Sequence, residues 1–160
     1  MDPNDGGTEA RLLILLETPG PHIHRTGIVS ADNPSGTARN LRRFLAEAGL
    51  PRQERVIWNA VPWVIHGGGP NRAPRASEIR DGLAELPPFL ALLPRLRVAV
   101  LAGRIAGMAA DAVAATRPGV AALRMPHPSP TYVCTSPDVP RRIAATLAEA
   151  AALLGCGPAA

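Results

Sequence analysis

The sequence predicts an α/β protein, a three-layer α/β/α sandwich around a central, mostly parallel four-stranded sheet. Its 160 residues, 46% of them hydrophobic, are enough to bury the core of one domain. Four short apolar runs alternate with segments of helical pattern, and this alternation is typical of a parallel sheet covered by helices on both faces. We therefore expect residues 1–160 to form a single domain, with residues 1–9 flexible.

The predicted strands are short apolar runs, each ending at a Gly, a Pro or a polar turn. Strands buried on both faces carry such continuous apolar runs, because neither face needs a polar side chain. The four runs are Arg11–Leu16, Arg55–Trp58, Arg97–Ala102 and Val120–Met125.

The segments between these runs carry helical signals. Apolar residues recur at helical spacing in a segment that Gly49 ends, since glycine readily adopts the left-handed conformation of a helix end. A second helix is predicted to begin at Ser77 and to be broken by Pro87-Pro88. A third, rich in small residues, is predicted over 103–116, and the last begins after Ser136, which fits a helix cap.

The charged residues indicate a polyanionic partner without proving one. All 17 basic residues are Arg, and the formal net charge is +4. A guanidinium pairs with phosphate through two donors and stacks on flat rings, which an ammonium cannot do as well. A GC-rich genome produces the same Arg-rich composition, so nucleic acid and a compositional origin both stay open.

Cysteine usage and hydropathy predict a soluble, cytoplasmic monomer that does not associate with membranes. Cys134 and Cys156 lie far apart and match no metal-binding or redox spacing, as expected of reduced thiols. Residues 1–7 are polar and acidic, unlike a signal peptide, and no run approaches the length of a membrane span.

Three polar side chains follow three of the predicted strands. Glu17 follows the first strand, Asn59 the second and His127 the fourth, each beside prolines that restrict its loop. Each has an ordinary alternative: Glu17 pairing with an Arg, Asn59 satisfying its own turn, or His127 at a polar loop tip. Because ligands of open parallel sheets bind beyond the carboxyl ends of the strands, we expect all three to line one site.

Other candidate residues have structural alternatives. His22 and His24 alternate in an extended segment, but no third ligand is near, so we expect neither a metal nor any other cofactor. Trp63 could stack on bases, whereas Trp58, inside a strand, is typical of a core.

Five ordered motifs between about Leu12 and Thr131 resemble the uracil-DNA glycosylase superfamily. LLETPG resembles its first motif, VIWNAVPW its second-strand asparagine and MPHPSPT its terminal H-P-S-P loop. GGGPNRAPRASEI resembles the N-R-x-P segment of the iron-sulfur branch, and VAVLAGRIA an L-G-x-x-A strand and helix. The cysteines of an iron-sulfur cluster are missing, so the resemblance is to a compact branch without that cofactor.

The resemblance implies a monofunctional DNA glycosylase, which hydrolyses the N-glycosidic bond of uracil in DNA and leaves an abasic site. His127 would donate a hydrogen bond to uracil O2, and Glu17 would hold the attacking water and favour the cationic sugar. The carboxamide of Asn59 would pair with uracil N3–H and O4, whereas cytosine presents the opposite donor and acceptor.

The resemblance also implies a substrate wall and a DNA-binding loop. Residues of the first motif that would contact the substrate are Thr18, Pro19, Gly20 and His22. The DNA-binding set would be Arg72 near a phosphate and the stiff loop Pro128, Ser129, Pro130 and Thr131 in the minor groove. The expected partner is uracil-containing DNA.

Departures from the family pattern leave two alternatives. Thr18 stands where other branches have a catalytic Asp, and Gly20 where the best-known branch has a Tyr that blocks the thymine methyl group. No aromatic residue occupies 27–30, the expected place of the base-stacking ring, for which His22 or His24 could substitute. The alternatives are a glycosylase for mismatched thymine or a deaminated purine, and a non-catalytic protein that binds uracil or abasic sites.

Overall fold

The computed structural model describes residues 1–67 and 72–157, and its centre is a sheet of four parallel strands. The strands are β1 (Leu12–Leu16), β2 (Arg55–Asn59), β3 (Val98–Ala102) and β4 (Ala121–Met125). They lie in the order β2-β1-β3-β4. The predicted α/β class and the four strands are confirmed.

Helices cover both faces of the sheet. Alternate residues of β1 point to opposite sides, Leu13 and Leu15 to one core cluster and Leu12 and Ile14 to the other. The first cluster packs against α3 (Ala76–Ala84), α4 (Leu86–Ala91), α5 (Arg104–Gly107) and α6 (Ala110–Thr116). The second packs against α2 (Gly36–Glu47) and α8 (Asp138–Leu154). The predicted three layers are therefore present.

The predicted interruption at Pro87-Pro88 is present: α3 ends at Ala84, and both prolines lie in the first turn of α4, where their missing N–H groups have no intrahelical partner to lose. One helix prediction needs correction. The predicted helix over 103–116 is two helices, α5 and α6. Between them the N–H groups of Met108 and Ala109 bond three residues back, which tightens and interrupts the α-helix.

Two further helices are too short to have a periodic signal in the sequence. They are α1 (Ile23–Thr26) and α7 (Pro130–Val133), each a single turn. Both lie in loops that leave the carboxyl ends of strands, α1 after β1 and α7 after β4. Among the described residues, no helix combines the length and the hydropathy that crossing a membrane requires.

The first residues of the chain, expected to be flexible, pack against the domain in the structure. The carboxylate of Asp2 is buried, accepts a hydrogen bond from Ser30 and pairs with Arg52 at 2.6 Å. Arg52 also pairs with Asp5 at 3.2 Å and with Asp32. This N-terminal ion-pair cluster ties the start of the chain to the loop that precedes α2.

Candidate active site

The carboxyl ends of the strands open into one cavity of about 670 Å³. Glu17 directly follows β1, Asn59 is the last residue of β2, and His127 comes two residues after β4. All three border this cavity, so the structure brings together the residues that the sequence placed at equivalent strand ends.

Glu17 is held by a backbone N–H. Its Oε1 accepts a hydrogen bond from the Ile105 N–H at 3.1 Å, and no described residue donates to Oε2. Gly103 makes room for this carboxylate: its φ is +95°, and a Cβ there would lie 2.6 Å from Oε1 of Glu17 and 3.2 Å from Cβ of His127. Glycine is therefore required at 103, both for its conformation and for the close approach of these two side chains.

The surroundings of His127 define which nitrogen of its ring carries the proton. Burial lowers its pKa below the ordinary 6.5, although the Glu17 carboxylate acts to raise it. The Ser129 N–H donates to its Nδ1 at 3.2 Å, so Nδ1 carries no proton. The proton of the neutral ring is therefore on Nε2, which is free to donate a hydrogen bond.

Asn59 is a buried amide without a hydrogen-bond partner among residues 1–67 and 72–157. Its side chain is 2% exposed, and neither Oδ1 nor Nδ2 is bonded to any described residue. A buried polar group without a partner costs about 1 to 3 kcal/mol, so such groups are rare unless a ligand satisfies them. Asn59 lies at the cavity wall, so its amide can bind a ligand that is almost completely shielded from water there.

The other residues expected to bind substrate line the same cavity. They are Thr18, Pro19, Gly20 and His22, on the segment between β1 and α1. An added Cβ at Gly20 would meet no described atom within 4 Å, so this part of the wall is open.

Only some of the residues expected to bind DNA border the cavity. Ser129 and Thr131 border the cavity, and their hydroxyl groups are 2.9 Å apart. Pro128 and Pro130 are not among the bordering residues, because the Pro128 carbonyl and the Pro130 ring contact α2.

Arg72 also borders the cavity, but it is already paired. Its guanidinium binds both carboxylate oxygens of Glu78, at 2.9 and 2.5 Å, and this pairing helps to lower the pKa of Glu78 to about 2. A phosphate would therefore have to share Arg72 with Glu78. Residues 68–71, which hold the first part of the predicted N-R-x-P segment, lie outside the described residues.

The expected aromatic platform for the base does not lie at 27–30. At 27–30, Val29 borders the cavity without a ring, and Phe44 is buried in the core. The cavity is bordered instead by Tyr132, 56% exposed, with its ring centroid 6.4 Å from that of His127. The sequence signal for Tyr132 was its position two residues after the H-P-S-P motif, whose loop borders the cavity.

The remaining candidates for base stacking and metal binding lie against other side chains of the protein. Trp58 stacks on Phe89 with centroids 4.7 Å apart, so its predicted core role is confirmed. His24 lies beside His66, at 6.0 Å between ring centroids, and does not border the cavity. Within residues 1–67 and 72–157, no three His, Cys, Asp or Glu side chains are grouped as a metal site would require.

Comparison with known proteins supports the assignment that the geometry favours. No curated protein matches the chain. The family model described as the uracil DNA glycosylase superfamily matches residues 3–151 and thus includes every site residue described above. The chain therefore belongs to the uracil-DNA glycosylase superfamily and is, in general terms, a DNA glycosylase of base excision repair.

Proposed function

We propose that the protein hydrolyses the N-glycosidic bond of uracil in DNA, and the unpartnered amide of Asn59 is the observation that carries this proposal. The amide offers one donor and one acceptor side by side, complementary to O4 and N3–H of uracil. Cytosine presents a donor where uracil has O4 and an acceptor where uracil has N3–H. Its entry would bury mismatched polar groups, at about 1 to 3 kcal/mol each.

The charges of the site suit the bond cleavage. Breaking the bond between uracil and C1′ leaves an anionic base and a cationic sugar, so the transition state has separated charge that the substrate lacks. The Nε2–H of His127 would donate to uracil O2 as negative charge grows there. The Glu17 carboxylate would stabilise the cation and hold a water molecule through Oε2, to which no described residue donates. That water adds to C1′ and gives up a proton, which balances the negative charge of the departing uracil.

The product would be an abasic site in an intact strand. A glycosylase that also cuts the strand uses an amine nucleophile to form a Schiff base, and the chain contains no Lys. Uracil must first leave the base stack of duplex DNA, so the enzyme would act on a flipped or single-stranded nucleotide. Arg72 would contact a DNA phosphate, and the loop 128–131 would enter the minor groove.

A second candidate substrate is mismatched thymine. The open wall at Gly20 favours it, because among the described residues no atom would oppose a substituent there. Thymine presents the same N3–H and O4 as uracil, so Asn59 would read both bases alike.

The test is single-turnover cleavage of labelled oligonucleotides that each carry one uracil, thymine opposite guanine, or hypoxanthine. Uracil is presented in single strands and opposite guanine or adenine. We expect strand scission at uracil only after alkali treatment, with free uracil detected by mass spectrometry. Absence of uracil release from every substrate would overturn the proposal. Tight binding to uracil or abasic DNA without release would instead indicate a non-catalytic binder.

A further inference from the structure

Helix α2 contacts the loop that carries His127 at two points. Nδ2 of Asn40 donates a hydrogen bond to the carbonyl oxygen of Pro128 at 3.0 Å. Gly36 lies against the ring of Pro130, which a Cβ at position 36 would overlap. Residues four apart lie on the same face of a helix, so one face of α2 supports the loop on both sides of residue 129.

Three prolines limit the hydrogen bonds that the loop can donate. Pro126, Pro128 and Pro130 have no N–H, so these positions cannot donate to a neighbouring segment. The Ser129 N–H donates to Nδ1 of His127, and the Ser129 carbonyl accepts from the first N–H groups that follow it in α7. The Pro128 carbonyl is held from outside the loop, by α2.

The two hydrogen bonds belong to one rigid group. The Pro128 carbonyl and the Ser129 N–H are the two polar ends of a single planar peptide unit and point in opposite directions. Asn40 holds the carbonyl end at 3.0 Å, and His127 accepts from the N–H end at 3.2 Å. Rotation of this peptide would break both bonds together, so the Asn40 bond and the tautomer of His127 are mechanically coupled.

Helix α2 is a firm support for this peptide. Its residues Leu41, Phe44 and Leu45 are buried in the core. The Ser35 hydroxyl accepts a hydrogen bond from the Ala38 N–H at 3.1 Å and caps the first turn. The face that meets the loop is thus fixed relative to the sheet.

We propose that Asn40 is a positioning residue. Through the Pro128–Ser129 peptide, and with Gly36 against Pro130, it keeps Nδ1 of His127 occupied and presents Nε2–H to the cavity. The effect on rate rests on the proposed function, whereas the effect on the His127 tautomer does not.

The first test is the ¹⁵N NMR spectrum of the His127 ring in the wild type, Asn40→Asp, Asn40→Ala and Asn40→Gln. Asp has the shape of Asn without its N–H, and Gln keeps the amide on a longer side chain. We expect the wild type to show the Nε2–H tautomer with a hydrogen-bonded Nδ1. Asn40→Asp and Asn40→Ala should show mixed tautomers, and Asn40→Gln a partial return.

The second test is single-turnover uracil release by the same variants. A displacement of about 1 Å at a catalytic group can cost about 10²-fold, so we expect a fall of about ten- to a hundredfold in Asn40→Asp and Asn40→Ala. The dissociation constant for the DNA should change less than this rate, because the phosphate contact proposed for Arg72 lies outside the loop. Leu96→Ala, at the amino end of the sheet, is the control for lost stability alone and should leave the His127 spectrum unchanged.

Wild-type ¹⁵N shifts in folded Asn40→Asp and Asn40→Ala would overturn the proposal, whatever the activity. Shifted spectra in a protein that releases no uracil would support the positioning role and overturn only the proposed function. If Asn40→Asp and Asn40→Ala both fail to fold, Gly36→Ala is the substitute, because it displaces the loop through Pro130. An unchanged His127 spectrum in Gly36→Ala would overturn the proposal.

Discussion

Replacing Asn59 with Leu should stabilise the protein and remove its ability to select uracil. Both polar atoms of the Asn59 amide are buried, with no partner in the part of the chain that the structure describes. Leucine has the same number of side-chain heavy atoms and needs no hydrogen bond, so the change removes a cost of the folded state. The same change removes the donor and acceptor proposed to read the base.

The magnitude follows from the two unpartnered groups. Each buried polar group without a partner costs about 1 to 3 kcal/mol. The bulkier methyl groups of Leu return part of this gain, since overpacking costs about 1 to 3 kcal/mol. We expect a net increase of about 1 to 2 kcal/mol in the free energy of unfolding. For a chain of this length, that raises Tm by about 2 to 8 °C.

Urea and thermal denaturation of wild type and Asn59→Leu measure the gain, and single-turnover uracil release measures the loss. Asn33→Leu is the matched control, because the Asn33 amide donates to the Ile28 carbonyl at 2.9 Å. It should lower the stability by about 1 kcal/mol. A lower stability of Asn59→Leu, or uracil release at the wild-type rate, would refute the reasoning.

Three further predictions concern charge and backbone. NMR titration should give His127 a pKa below 6.5. Glu17→Gln should lower the pKa of His127 further, since the Glu17 carboxylate acts to raise it. An unchanged pKa of His127 in Glu17→Gln would show that the two groups do not interact. Gly103→Ala should lower the free energy of unfolding by about 2 kcal/mol or more, since its positive φ and the approach of Glu17 leave no room for a Cβ; wild-type stability by urea denaturation would contradict this. Asp2→Asn should lower the stability by about 1 to 3 kcal/mol near pH 7, because its carboxylate binds Arg52.

The last effect has a defined pH window. Burial acts to raise the pKa of Asp2, but its hydrogen bonds from Ser30 and Asn4 and the charge of Arg52 outweigh burial, and the pKa lies below the ordinary 3.8. A lowered carboxyl pKa stabilises the fold above the unfolded-state pKa, and this contribution is lost as pH falls through the folded-state pKa. Wild type and Asp2→Asn should therefore begin to converge in stability below about pH 3.9 and meet only below the folded-state pKa. A difference that persists below the folded-state pKa would mean that the ion pair is not its source.

The strands and the main site residues could be predicted because both depend on local patterns. Leu12–Leu16 is apolar without interruption, as a doubly buried strand must be, and Glu17 and Asn59 follow from the rule that parallel strands end at one edge. The single-turn helices α1 and α7 could not be predicted, because four residues contain no helical period. The break between α5 and α6 depends on hydrogen bonds that shift by one residue, which composition does not reveal.

Contacts between segments that are distant in the chain could not be predicted from the sequence. No local sequence pattern indicates that Asn40 donates to the Pro128 carbonyl or that Arg52 pairs with Asp2 and Asp32. Each of these contacts forms only after the chain has folded. The pairing of Arg72 with Glu78 was also missed, although its six-residue spacing before a helix was a visible hint.

The most direct test of the proposed catalysis is the single-turnover rate of uracil release from DNA by wild type and by His127→Ala, at equal occupancy of the substrate. We expect release by the wild type and a rate about 10²- to 10³-fold lower in His127→Ala, as for loss of one donor to a developing anion. Equal rates in the two proteins, or no release by the wild type from fully bound uracil DNA, would contradict it.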